Sequence, residues 1–213
     1  MVLRQVNVFR FLFLCALALI IQWAFQYFLI SDQLYFNSLS NQLTYERIQE
    51  LIDQSKEWQW LGYVLVPVLY LVKFGLVAGC LGIGYFFATS QFAFKRFFGV
   101  AIQAELVFLI PILFKLLWFL FVQTDFDLTA IGQFYPLSAL TLFNASELPP
   151  YYLYPLQVLN LFEVAYWFLL AYGVTQTLEM PFSKAFSLVL SSYGIGLLLW
   201  ITGVVFITVT YTS

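Results

Sequence analysis

Four charged side chains, Lys73, Glu105, Lys115 and Glu163, stand inside stretches of sequence that are otherwise apolar. In bilayer hydrocarbon each costs about 2.5–3.5 kcal/mol when it is alone, so four together demand a reason. Two acids and two bases can neutralise one another internally. They can also snorkel separately to water, or have their carboxyls protonated, or line a path for protons or ions. Counting about 1.5 Å per residue sets Lys115 and Glu163 level, each about 7 Å on the outer side of the midplane. The same count puts Lys73 near the middle and Glu105 about 7 Å toward the cytoplasm, within reach of a lysine stem. The expected pairs are therefore Lys115 with Glu163 and Lys73 with Glu105, each fixing which helix faces meet.

Catalytic and metal chemistry find little to work with. The chain has no histidine, which removes the commonest zinc ligand and general base. Cys15 and Cys80 both lie in apolar runs and are spaced neither as a metal pair nor as an expected disulfide. The sequence contains no His-Glu-x-x-His, Gly-x-Ser-x-Gly or Walker A pattern, and no aspartate falls within an apolar run to build a carboxylate dyad. Glu105 and Glu163 belong to different helices at different depths. The expectation is a non-enzymatic protein without cofactor or metal.

The elements that hold these groups follow from composition. Of 213 residues, 62% are hydrophobic and 9% charged, against about 25% charged in ordinary soluble domains. A formal charge of −2 offers no field for a nucleic acid. The partner this composition requires is the lipid bilayer itself. Five runs are long and apolar enough to cross it, over residues 8–30, 60–87, 97–122, 156–178 and 185–210. The expected fold is all-α, a single membrane domain over 1–213 built as a bundle of five transmembrane helices. The opening Met-Val-Leu-Arg resembles a signal peptide's basic start, but the apolar stretch that follows is too long, so the segment reads as a retained signal anchor.

Lys and Arg concentrate in short cytoplasmic loops. Arg4 and Arg10 precede the first run, Lys95 and Arg96 join the second and third, and Lys184 joins the fourth and fifth. The remaining connections carry the acids, including Asp32, Glu46, Asp125 and Glu147. The amino terminus is thus placed in the cytoplasm and the carboxyl terminus outside. Trp58, Trp60, Tyr151, Tyr152, Tyr154 and Tyr211 mark the outer boundary, where ring and polar tip are both satisfied.

In the first outer connection Tyr45, Ile48, Leu51, Ile52 and Ser55 repeat at helical spacing beside an acidic face. This predicts a short amphipathic outer helix, lying on the bundle or leaflet or extending into the second span. The second outer connection is apolar but interrupted by Gly132 and Pro136, which predicts an interfacial or re-entrant segment. Pro149 and Pro150 stop any helix before the fourth span. Asn144-Ala145-Ser146 matches a glycosylation triplet, a weak signal.

Small residues give candidate packing faces. Gly75 and Gly79 form a Gly-x-x-x-Gly continued by Gly82, and Ser192, Gly196 and Gly203 stand in a similar relation in the last run. Such faces let another backbone approach, either within the bundle, the favoured case, or from another chain.

The run Leu159 to Gly173, Leu-Asn-Leu-Phe-Glu-Val-Ala-Tyr-Trp-Phe-Leu-Leu-Ala-Tyr-Gly, resembles the bacterial branch of the Yip1 family of small polytopic membrane proteins. So do the loop with Pro181, Ser183, Lys184 and Ala185 and the segment Glu105-Leu-Val-Phe-Leu-Ile-Pro111. The resemblance covers roughly residues 60–210. The eukaryotic Asp-Leu-Tyr-Gly-Pro signature and long cytosolic arm are missing, so vesicle-traffic roles do not carry over. The resemblance implies a non-enzymatic scaffold or accessory subunit of a larger envelope or transport complex. It would contact other membrane proteins, as a multi-pass protein of a bacterial cytoplasmic (inner) membrane. The alternative is a transporter or ion- or proton-conducting component that uses Lys73, Glu105, Lys115 and Glu163.

Overall fold

In the computed structural model the backbone is described from Val2 to Thr212 and the side chains from Asn7 to Tyr211. The side chain of Arg4 lies outside the described residues. The chain is all-helical, and among the described residues four helices are long and apolar enough to cross a bilayer: Asn7–Leu29, Tyr45–Thr89, Phe94–Phe121 and Phe182–Tyr211.

The first crossing belongs to α1 (Val2–Leu29), followed by a short helix, α2 (Asp32–Leu39), whose Leu34 amide is capped by the Ser31 hydroxyl at 3.2 Å. The amphipathic stretch after it is no separate element. It is the start of α3 (Tyr45–Thr89), one helix of 45 residues, or about 68 Å at 1.5 Å per residue, roughly twice the 30 Å hydrocarbon core. Its first turns project beyond the apolar layer and are tied to α2 by Lys56 Nζ, 2.7 Å from Asp32 Oδ2, and by Phe36 stacked on Tyr45 at 4.9 Å.

The third crossing is not one regular helix. It runs as α4 (Phe94–Ala104), a 3₁₀ turn over Glu105–Phe108, then α5 (Leu109–Phe121). Pro111 has no amide to give Val107 and its ring presses on that carbonyl, so the preceding turn tightens. Beyond α5 the connection to the next helix folds as α6 (Leu128–Gln133), capped by Asp127, and two short 3₁₀ turns.

The run expected to cross at 156–178 is divided. Helix α7 (Pro150–Val158) starts on Pro150, where a missing amide costs nothing, and α8 (Leu161–Leu178) restarts after two non-helical residues. Asn160 is extended and caps α8 by accepting from the Glu163 amide at 2.8 Å. Backbone groups freed at the break are satisfied by the loop, in a two-way exchange: Ala139 N–H donates to Leu159 O at 2.7 Å, and Leu161 N–H donates to Leu137 O at 3.1 Å. Non-helical backbone at membrane depth survives only where protein pairs with it or a cavity adjoins it.

The last crossing comprises α9 (Phe182–Val189), a π-turn over Leu190–Gly194 and α10 (Ile195–Thr212). Asn7 of α1 lies against Gly99 of α4, which brings the exposed basic residues Arg10, Lys95 and Arg96 to one end of the bundle.

Two apolar clusters hold the bundle. The larger gathers Phe74, Leu81, Phe97, Tyr166, Leu170 and Val189 from α3, α4, α8 and α9. The smaller gathers Leu29, Leu34, Leu116, Phe119 and Ile131 under the connections that follow α1 and α5.

The candidate packing residues fall into two groups, open and close-packed. A Cβ on Gly75, Gly79 or Gly203 would meet nothing within 4 Å, while one on Gly82 would press the Phe92 ring at 2.8 Å. A Cβ on Gly84 would stand 2.6 Å from Ser192 Cβ and one on Gly196 would stand 2.7 Å from Cys80 Sγ, so Ser192 and Gly196 of the last run lie at a tight seam with α3. The physical reason is rotation about the axis of α3, whose buried stripe in this stretch is Phe74, Val77, Ala78, Leu81 and Gly82, leaving Gly75 and Gly79 at its edge.

Candidate functional site

Between the two clusters lies a cavity of about 1360 Å³, walled by α1, α3, α5, the 134–138 loop, α7, the start of α8 and the start of α10. This exceeds the roughly 300–1,000 Å³ of ordinary small-molecule sites. The wall is mainly apolar, as in Leu69, Leu76, Ile112 and Leu199, with polar groups spaced around it at Gln22, Gln26, Gln157 and Asn160. Lys73, Lys115 and Glu163 all face it.

The two lysines have different surroundings. Lys73 Nζ lies 2.6 Å from Glu105 Oε1, 4.2 Å from the Phe108 ring centroid and 5.6 Å from that of Tyr166. Glu105 is 3% exposed, so its charge is neutralised inside the protein, whereas the lysine side chain is 40% exposed at the cavity edge. The 3₁₀ turn created ahead of Pro111 carries both Glu105 and Phe108, so one local irregularity supplies the carboxylate and the ring that flank Lys73. Glu105 Oε2 and the Tyr166 hydroxyl are buried without hydrogen-bond partners among the described residues.

Lys115 does not pair with Glu163, contrary to expectation: among the described residues no ion pair joins them. Lys115 Nζ instead stands over two rings, 5.9 Å from the Phe25 centroid and 5.5 Å from that of Tyr135. A single oxygen of Glu163, Oε1, accepts from Trp167 Nε1 at 2.8 Å and from the Tyr193 hydroxyl at 2.7 Å. Trp167 is four residues on along α8, the spacing at which helix side chains meet, and Tyr193 reaches across from the π-turn. Ser191 and Ser192 in that turn both bond back to Leu188 O, at 3.3 and 2.6 Å, a local competition with the helix ladder.

Strain gathers beside the cavity. Leu137, between the lining residues Pro136 and Ser138, holds φ at 57°, a left-handed conformation that costs a branched residue about 1–2 kcal/mol. It is kept there by the bond from Leu161 N–H. Among the described residues no cluster of three His, Cys, Asp or Glu could hold a metal, and Cys15 and Cys80 are free thiols.

No protein-family model, curated protein or solved structure matches this chain. Fold and site together define an all-helical protein with several helices long and apolar enough to cross a membrane, around a partly open, charge-bearing cavity.

Proposed function

We propose that this protein takes up an amphiphilic small molecule within the membrane, as a transporter or as the binding component of a transport assembly. The observation that carries this reading is the cavity of about 1360 Å³ with Lys73, Lys115 and Glu163 on an otherwise apolar wall. A broken helix paired with a loop beside the cavity also supports it, because discontinuous helices recur where transporters hold substrates. The proposed topology has five crossings, with α8 as the fourth, the amino terminus in the cytoplasm and the carboxyl terminus outside. The proposed setting is a bacterial cytoplasmic membrane, and the chain is read as Yip1-like and non-enzymatic.

Native mass spectrometry of the protein released from detergent tests this. The wild type should carry a bound small molecule, and Leu76→Trp with Ile112→Trp, which narrows the cavity, should lose it. Equal retention by both would refute the reading.

A second reading, a scaffold or accessory subunit of a larger membrane complex, draws on one observation. Gly75 and Gly79 on α3 have nothing within 4 Å of where their Cβ atoms would stand, so a neighbouring helix could seat there. Substituting Ile at both positions should then release co-purifying chains while leaving the monomer folded.

A further inference from the structure

We infer that the cavity selects an amphiphile whose head group is zwitterionic, bearing one anionic group and one ammonium group. The inference deepens the proposed function and rests on it. Three charges face the cavity, and one of them is already cancelled, since Lys73 Nζ sits 2.6 Å from the buried Glu105. The two that remain are of opposite sign. Lys115 has aromatic rings near its ammonium and no carboxylate partner among the described residues. Glu163 offers a second oxygen, because Trp167 and Tyr193 both donate to Oε1 and Oε2 has no hydrogen bond among the described residues.

These two groups line one cavity yet form no ion pair with each other, so neither neutralises its neighbour. A ligand carrying a single charge satisfies one and leaves the other uncompensated on a mainly apolar wall, where an unpaired ion is disfavoured. An uncharged ligand leaves both. A head group with an anion for Lys115 and an N–H-bearing cation for Glu163 satisfies both with charge-assisted hydrogen bonds, while its hydrocarbon lies on Leu69, Leu76 and Leu199. The Glu163 carboxylate is held in place for this task by Trp167 and Tyr193, so little orientation is lost on binding.

The test measures retention of a lipid series with identical dioleoyl chains by delipidated wild-type protein, read by native mass spectrometry. The heads are phosphatidylethanolamine, phosphatidylglycerol, a primary-ammonium cation and uncharged diacylglycerol. Lysophosphatidylethanolamine forms a further arm that distinguishes a two-chain bilayer lipid from a single-chain amphiphile. Phosphatidylethanolamine, in one or both chain forms, should be held about tenfold more tightly than the singly charged or neutral heads. Glu163→Gln should move the preference to phosphatidylglycerol, and Lys115→Met should move it to the cation. Wild-type preference for a singly charged or neutral head, or none among the heads, would overturn the zwitterion assignment while leaving the cavity a binding site. Failure of every lipid to bind would remove both. The wild-type ranking decides the matter even if a variant fails to fold.

Discussion

Lys73 and Glu105 face each other at 2.6 Å across the contact of α3 with the 3₁₀ turn, and their exposures differ more than tenfold, 40% against 3%. The pair is therefore a buried carboxylate neutralised by a lysine that still reaches the cavity. Glu105 depends on Lys73 far more than Lys73 depends on Glu105.

Removing only the lysine should accordingly be costly. Lys73→Met leaves Glu105 alone in the core, a loss of about 3–5 kcal/mol for a fully buried pair, reduced toward about 1–3 because Lys73 is partly exposed. Lys73→Met combined with Glu105→Met should recover most of it, since apolar pairs replace buried ions with little loss. Thermal unfolding in detergent reads this; a double variant no better than the single would contradict it.

Tyr193→Phe keeps the ring against Tyr166, 5.5 Å between centroids, but removes one of two donors to Glu163 Oε1. A hydrogen bond to a charged group contributes about 1.5–3 kcal/mol, so unfolding should shift down by that amount. Unchanged stability would mean the hydroxyl does not hold the carboxylate.

Glycine substitutions should separate the seam from the open edge. Gly84→Ala places a methyl 2.6 Å from Ser192 Cβ and should cost about 1–3 kcal/mol. Gly75→Ala and Gly79→Ala meet no atom within 4 Å and should stabilise α3 by about 0.5–1 kcal/mol each. Comparable damage from Gly75→Ala would place a second chain on that edge.

Much of this architecture is legible in the sequence. Long apolar runs mark the helices, and a depth count brings Lys73 and Glu105 within reach of each other. What the count lacks is angle. Lys115 and Glu163 can be level in depth, yet Glu163 points to Trp167 and Tyr193 while Lys115 points to Phe25 and Tyr135. The small residues divide for the same reason: Ser192 and Gly196 meet α3 closely while Gly75 and Gly79 turn to an open edge, because spacing says where close approach is allowed and not which way the helix turns. Hydropathy over 156–178 likewise misses the break at Leu159 and Asn160, which depends on bonds from Leu137 and Ala139, some twenty residues upstream. Asn160, with Glu163 three residues on, was the available signal for a helix start within that run. The cavity has no local signature, being assembled from six separated segments.

The loop that pairs with the broken helix should respond with opposite signs at two positions. Leu137→Gly relieves a left-handed conformation and should stabilise by about 1 kcal/mol. Asn160→Ala removes the cap on the Glu163 amide and should destabilise by about 0.5–2 kcal/mol. Chemical denaturation of the two variants gives the comparison, and the same sign for both would contradict the pairing.

The account depends most on the cavity being occupied by an amphiphile. Photolabelling in native membranes with a diazirine-bearing phosphatidylethanolamine, followed by peptide mapping, tests this directly. Labels should concentrate on Phe25, Ile112, Tyr135 and Trp200 and be competed by unlabelled lipid. Uniform, uncompeted labelling of outward-facing rings such as Phe9, Phe87 and Phe206, with none on the cavity wall, would contradict it.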